Sequence, residues 1–267
     1  MILSFVAFFV VQVIKTGGFD HRANYYDEYT IWRPPKDLIV NDENYEKTLS
    51  FARQRHYILS QQYTSPVSEN TSFLIEREAM RFFSQFLYDS LSPYWLGTTF
   101  SKTGKSEIPG KGVISPENFV LQLLKDMGVD MRIDPELIYK PGDLIEFLLF
   151  NRNISHYYGT PMASFIQDVK DKSDGLYLLA LDEHIGFLNV EGENLSFLHV
   201  APKKPFCVVI EDAEKSKLIA QSKDRWLGLI SDAEEFIRHW LENEPIIMES
   251  IKISNPDTAS SSDSTVQ

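Results

Sequence analysis

Two histidines, His184 in Leu181-Asp182-Glu183-His184-Ile185-Gly186-Phe187-Leu188 and His199 in Leu195-Ser196-Phe197-Leu198-His199-Val200-Ala201, stand on what read as adjacent short strands. An imidazole on a strand, oriented by a second polar side chain, is the base half of a nucleophilic hydrolase site. The other half is a thiol or hydroxyl at a helix N-terminus, where the helix dipole favours an anion. The segment that should supply it reads Ser115-Pro116-Glu117-Asn118-Phe119-Val120 and holds no cysteine. Ser115 is an N-cap residue type, so its hydroxyl reads first as an acceptor for backbone N–H groups and second as a nucleophile.

Asp182 or Glu183 beside the two histidines raises a metal site. No His-x-x-x-His or comparable ligand spacing accompanies them, so neither a metal nor any other cofactor is expected. Cys207, the single cysteine, lies in the apolar run Pro205-Phe206-Cys207-Val208-Val209-Ile210. It reads as a buried, inert thiol that can form no internal disulfide.

The elements around these residues follow from periodicity. Residues 73–91 carry Ile75, Ala79, Phe82, Phe83, Phe86 and Leu87 at helical spacing, and they predict an amphipathic helix that stops before Pro93 and is capped by Asn70, Thr71 or Ser72. Ser115, Pro116 and Glu117 open the best-delimited helix. Phe119, Val120, Leu123, Leu124 and Met127 form its buried stripe, and Gly128 ends it. Further helices are expected over 143–150, 161–169 and 232–241, and one within 45–62. From Gly175 the pattern becomes strands at 175–181, 185–190, 195–200, 207–211 and 226–230, with turns such as Glu191-Gly192-Glu193-Asn194 between them. Tight links predict an antiparallel meander. Helices first and strands afterwards give an α+β class. Tyr157-Tyr158-Gly159 and Trp226 are expected in the core.

The chain has 267 residues, 43% of them hydrophobic, with 18 Phe, 12 Tyr and 4 Trp, enough for a substantial core. Its net charge of −12 argues against nucleic acid or an anionic lipid surface as partner, because both demand a basic patch. Met1 to Ile14 is apolar except for Ser4 and Gln12. It is too short for a stable membrane span, but it has the length of a signal-peptide core, so export to the periplasm or exterior is expected. Four regions result: a signal-like segment over 1–18, a wrapping extension over 19–72, the α+β domain over 73–245 and a Ser- and Thr-rich disordered tail over 246–267. The triplets Asn70-Thr71-Ser72, Asn153-Ile154-Ser155 and Asn194-Leu195-Ser196 match glycosylation acceptors, of consequence only in a eukaryotic secretory route.

The order of these pieces resembles NlpC-type, papain-like cell-wall peptidases. Trp95-Leu96-Gly97-Thr98-Thr99-Phe100 looks like that family's entry to the active-site loop. Phe119-Val120 looks like the helix whose first turn bears the catalytic cysteine. His184-Ile185-Gly186-Phe187 is similar to the strand holding the base, and Leu198-His199 to the strand holding the orienting residue. The resemblance implies a papain-like fold, with helices packed on the meander and a closing C-terminal helix. It also implies that His184 and His199 aim at the helix tip. Counting back from Phe119-Val120, the family's cysteine falls on Pro116, which has no nucleophile. Pro141-Gly142-Asp143-Leu144, a turn in family members, reads here as the start of a helix. Three readings remain open: an inactive homologue keeping a cleft for peptide or peptidoglycan fragments, a hydrolase using Ser115 with His184 and His199, and a non-enzymatic interaction module.

Overall fold

The computed structural model of the protein describes residues 31–32, 42–65, 68–134, 137 and 139–248. The signal-like segment over 1–18 and residues 249–267 of the expected tail lie outside the described residues, while Ile246–Met248, counted with that tail, form a strand with Ile246 buried. After strand β1 (Ile31–Trp32), burial recurs at Tyr45, Leu49, Ala52, His56 and Leu59, three or four residues apart. That spacing is one face of a helix, and the stretch forms α1 (Asp42–Thr64). The stretch was expected to wrap the domain. It instead contributes to the main core, and its His56 Nε2 and Ser60 hydroxyl meet the carbonyls of Trp240 and Leu241 at 2.6 and 2.5 Å.

Helix α2 (Glu69–Phe86) is capped one turn earlier than expected, with Ser68 Oγ accepting from Thr71 N at 3.3 Å. The helix ends before Pro93, as expected, but the helical path does not. A π-helical turn (Leu87–Leu91) leads directly into the short helix α3 (Ser92–Trp95), where Pro93 occupies a first-turn position that needs no N–H bond. Two-residue strands β2 (Thr99–Phe100) and β3 (Val113–Ile114) pair in parallel and close the loop between them. Helix α4 (Pro116–Asp126) ends at Gly128, whose φ of +91° suits a residue without Cβ. Strand β4 (Met131–Ile133) follows, and then helix α5 (Pro141–Leu148). In α5 the Asp143 carboxylate accepts from Lys140 N at 2.8 Å, so this segment is a capped helix. A Cβ on Gly142 would sit 2.8 Å from the Trp226 ring, so only glycine allows this approach.

Strand β5 (Ile154–Tyr158), helix α6 (Met162–Lys170) and strands β6 (Gly175–Leu181), β7 (His184–Glu191), β8 (Asn194–Val200) and β9 (Val208–Asp212) come next. Helix α7 (Lys217–Gln221), strand β10 (Asp224–Leu229), helix α8 (Glu234–Glu242) and strand β11 (Ile246–Met248), paired with β4, complete the chain. The protein is α+β, and its main sheet is antiparallel throughout, in the order β1-β9-β8-β7-β6-β10-β5. Strands β6 to β9 form the expected meander. Strand β10 departs from it. The chain crosses back over one face of the sheet through residues 213–223, and β10 then pairs with β6 on its far side. Strand β5 was not foreseen. Tyr158 is 75% exposed at its end and Trp226 is half-buried, so the expected core position holds for neither in full.

The sheet has two apolar faces. Ile185, Phe187, Leu198 and Val200 turn to the main core with α1, α2, α4, α5 and α8. Leu188, Val190, Leu195 and Phe197 turn to a second core, covered by Phe165 and Val169 of α6 and by Ala213 and Ile219 of the crossover. The fold is therefore helices, sheet and a thinner covering layer.

Candidate functional site

His184 opens β7 directly after the Asp182-Glu183 turn. The Asp182 carboxylate accepts from Lys223 N at 2.9 Å and Asp224 N at 2.7 Å. Partial burial opposes its charge, but these N–H groups hold the carboxyl below the usual range. Asp182 is thus a turn anchor. Among the described residues no group of three His, Cys, Asp or Glu side chains is arranged to hold a metal. Cys207 is half-buried, more open than its apolar context predicts.

The two imidazoles meet. His184 Nε2 lies 2.9 Å from His199 Nδ1, with the rings nearly perpendicular at 5.0 Å between centroids. Gly186 makes room for this, since a Cβ there would stand 2.8 Å from His199 Cβ and 2.6 Å from Leu198 O. His199 stacks on Phe197 at 4.3 Å. A third member, Glu211, escaped the sequence analysis. Its Oε1 lies 3.3 Å from His199 Nε2, and all three side chains are at least 95% buried. The contact lacks hydrogen-bond alignment, so neither atom has a hydrogen-bond partner. The sequence carried a faint signal: an acid inside an apolar strand, diagonal to His199 because β9 pairs His199 with Val209 and Phe197 with Glu211.

Proton bookkeeping along this row sets the tautomers. The Glu211 carboxylate favours a proton on His199 Nε2, which leaves Nδ1 as an acceptor. His184 Nε2 then donates, and His184 Nδ1 keeps a lone pair. Burial, followed by the neighbouring His199, pushes the His184 pKa well below the ordinary histidine value. A pKa depressed this far keeps the imidazole neutral and makes it a weak base.

Its nucleophile is not within reach. Strand alternation places His184 with Leu188 and Val190, and His199 with Leu195 and Phe197, on the face of the second core. Helix α4 packs on the other face, with Phe119 and Phe187 at 6.3 Å between ring centroids. Ser115 Oγ accepts from Asn118 N at 3.2 Å and from Asn118 Nδ2 at 2.9 Å, and the residue is 1% exposed. Pro116 beside it is buried without any nucleophilic atom. The expectation that both histidines aim at the α4 tip, and with it the Ser115–His184–His199 alignment, is corrected. Among the described residues no hydrogen bond or ring contact joins either imidazole to residues 115–118.

No protein-family model, curated protein or solved structure matches this chain.

A cleft of about 370 Å³ does open beside α4, lined by Lys105, Glu107, Asn118, Leu121, Asp130 and Ile133 among others. Leu121, Val129, Met131 and Ile133 give it apolar lining, and charges of both signs share it, including the Glu107–Lys125 pair at 2.8 Å. A second buried polar group lies behind the same helix. The Tyr45 hydroxyl donates to Asp126 Oδ2, Gln122 Nε2 donates to Oδ1 at 2.9 Å, and Trp95 Nε1 donates to the Tyr45 hydroxyl at 3.2 Å. Burial pushes the Asp126 carboxyl up to about 6 against the pull of its donors. With its oxygens satisfied, this acid ties α1 to α4 rather than serving a reaction.

Among the described residues, no helix is long and apolar enough to cross a membrane.

Proposed function

We propose that this protein performs no acyl-transfer chemistry and acts as a binding module whose ligand seat is the cleft beside α4. One observation carries the reading. His184 and His199, the two histidines the sequence offered as the base side, are buried on the sheet face away from Ser115 and Pro116. A hydrolase needs base and nucleophile within hydrogen-bond reach.

The helix-then-sheet order supports a relation to NlpC-type peptidases, with Pro116 where that family places its thiol, and the histidine pair, facing away from that helix, does not add to it. A pocket inherited around the histidines is not part of this proposal. What fits the cleft is a short peptide, or the peptide part of a cell-wall fragment. Apolar side chains would cover Leu121 and Ile133, while backbone and charged groups meet Asn118, Lys105 and Asp130.

Incubation with peptidoglycan-derived peptides and small amide and ester substrates, beside His184→Ala, tests the first half. Neither protein should turn over any of them, and turnover abolished by His184→Ala would overturn the reading. Titration with short mixed-charge peptides, followed by NMR, should shift the Asn118 and Leu121 amides, and Ile133→Arg should abolish the shifts. Shifts centred elsewhere, or none, would remove the cleft from the proposal.

A further inference from the structure

The net charge of −12 hides a corner of opposite sign. The loop between β2 and β3 carries Lys102 and Lys105, and the turn before β9 carries Lys203 and Lys204. Backbone hydrogen bonds place the two together: Phe100 N donates to Phe206 O at 2.7 Å, and Val208 N to Thr98 O at 2.9 Å. Lys102, Lys105 and Lys203 are exposed, and among the described residues no ion pair engages them. Glu107, the one acid on these two loops, is already matched by Lys125.

Large apolar side chains project from the same corner: Ile108 is 45% exposed, Val113 40% and Phe206 47%. They are held out by rigid backbone. Ser106 N donates to Val113 O at 3.0 Å, Ser115 N to Gly104 O at 3.0 Å, and Ser106 Oγ to Ile108 O at 2.9 Å. A Cβ on Gly104 would lie 2.5 Å from Ile114 N, so these strands sit backbone to backbone. Phe206 adopts a left-handed φ of +57°, unfavourable for an aromatic residue, while about half exposed.

We infer that this corner docks on an anionic lipid surface, with Lys102, Lys105 and Lys203 at the headgroups and Ile108 and Phe206 entering the acyl boundary. The lysines attract a negative leaflet, and the acidic remainder of the protein is repelled from it, so one orientation is selected. Aliphatic Ile108 and Val113 favour lipid over nucleic acid, where stacking aromatics and arginines are the useful companions of lysine. This inference shares Lys105 with the peptide cleft, but Lys102, Lys203 and Phe206 do not line it, so variants at those three positions separate the two readings.

Co-sedimentation of the full chain with phosphatidylcholine vesicles and with vesicles rich in phosphatidylglycerol provides the test. Binding is expected only to the anionic vesicles, and it should weaken steeply as salt is raised. Each unit of charge removed should cost about fivefold in partitioning, so Lys102→Glu with Lys203→Glu should lose more than about a hundredfold. Phe206→Ser should weaken binding without altering its salt dependence. Circular dichroism of the variants should match that of the parent. The inference is overturned by no binding, by equal binding to neutral vesicles, by undiminished binding of the double variant, or by binding to single-stranded nucleic acid without binding to vesicles.

Discussion

His184 Nε2 stands 2.9 Å from His199 Nδ1 in the interior, on the sheet face that α4 does not touch. The contact satisfies one ring nitrogen of each imidazole, and the pair is more naturally a packing device than a reactive one. Its consequences lie in stability.

The first consequence is acid sensitivity. Burial, then His199, depresses the His184 pKa, so the folded protein holds this ring neutral while the unfolded chain takes up a proton below about pH 6.5. Its contribution is intact above that pH and is lost as pH falls, by up to about 1.4 kcal/mol per pH unit. His56, depressed by burial, acts in the same direction. Asp126 acts oppositely: its raised carboxyl stabilises below about pH 4 and loses that contribution as pH rises through about 6. Urea unfolding at several pH values should therefore show stability falling below pH 6.5. His184→Gln should flatten that slope, and an unchanged slope would show that His184 is not its source.

Glu211 gives a second prediction. Breaking a well-made buried charge pair costs about 3–5 kcal/mol. Here the partners lie 3.3 Å apart without hydrogen-bond alignment, so Glu211→Gln should cost less than about 1 kcal/mol in chemical denaturation. A loss of the larger size would mean a closed Glu211–His199 bond in solution.

Introducing a thiol should not create a site. Pro116→Cys places sulfur in the first turn of α4, where the dipole lowers its pKa from about 8.5. His184 lies on the other sheet face, so the alkylation rate against pH should be the same with and without His184→Ala. A coupled shift would contradict the arrangement described here.

The Tyr45–Asp126 contact joins helices that are distant in sequence. Tyr45→Phe removes a donor from a buried carboxylate and the acceptor of Trp95 Nε1, and should cost about 1–3 kcal/mol. Denaturant midpoints measure it, and an unchanged midpoint would mean water replaces the phenol.

Local chemistry was legible where it was self-contained. Ser115, Pro116, Glu117 and Gly128 announced α4 because capping and termination need only near neighbours. Short apolar runs bounded by turn residues over 175–200 gave three strands and placed each histidine at or within its strand. Helix α1 was read too weakly because its apolar stripe is narrow and interrupted by His56. Strand β5 was missed because an edge strand ending in exposed Tyr158 shows no clean alternation. The return of β10 to pair with β6 was invisible, because strand order depends on a crossover whose path no local pattern encodes.

The sequence by itself determined that His184 shares a face with Leu188, and His199 with Phe197, because successive side chains on a strand point to opposite sides. Only the tertiary structure decided which face receives α4. Strand β7 is apolar on both sides, with Ile185 and Phe187 on one and Leu188 and Val190 on the other, so its pattern holds no preference for which layer covers which.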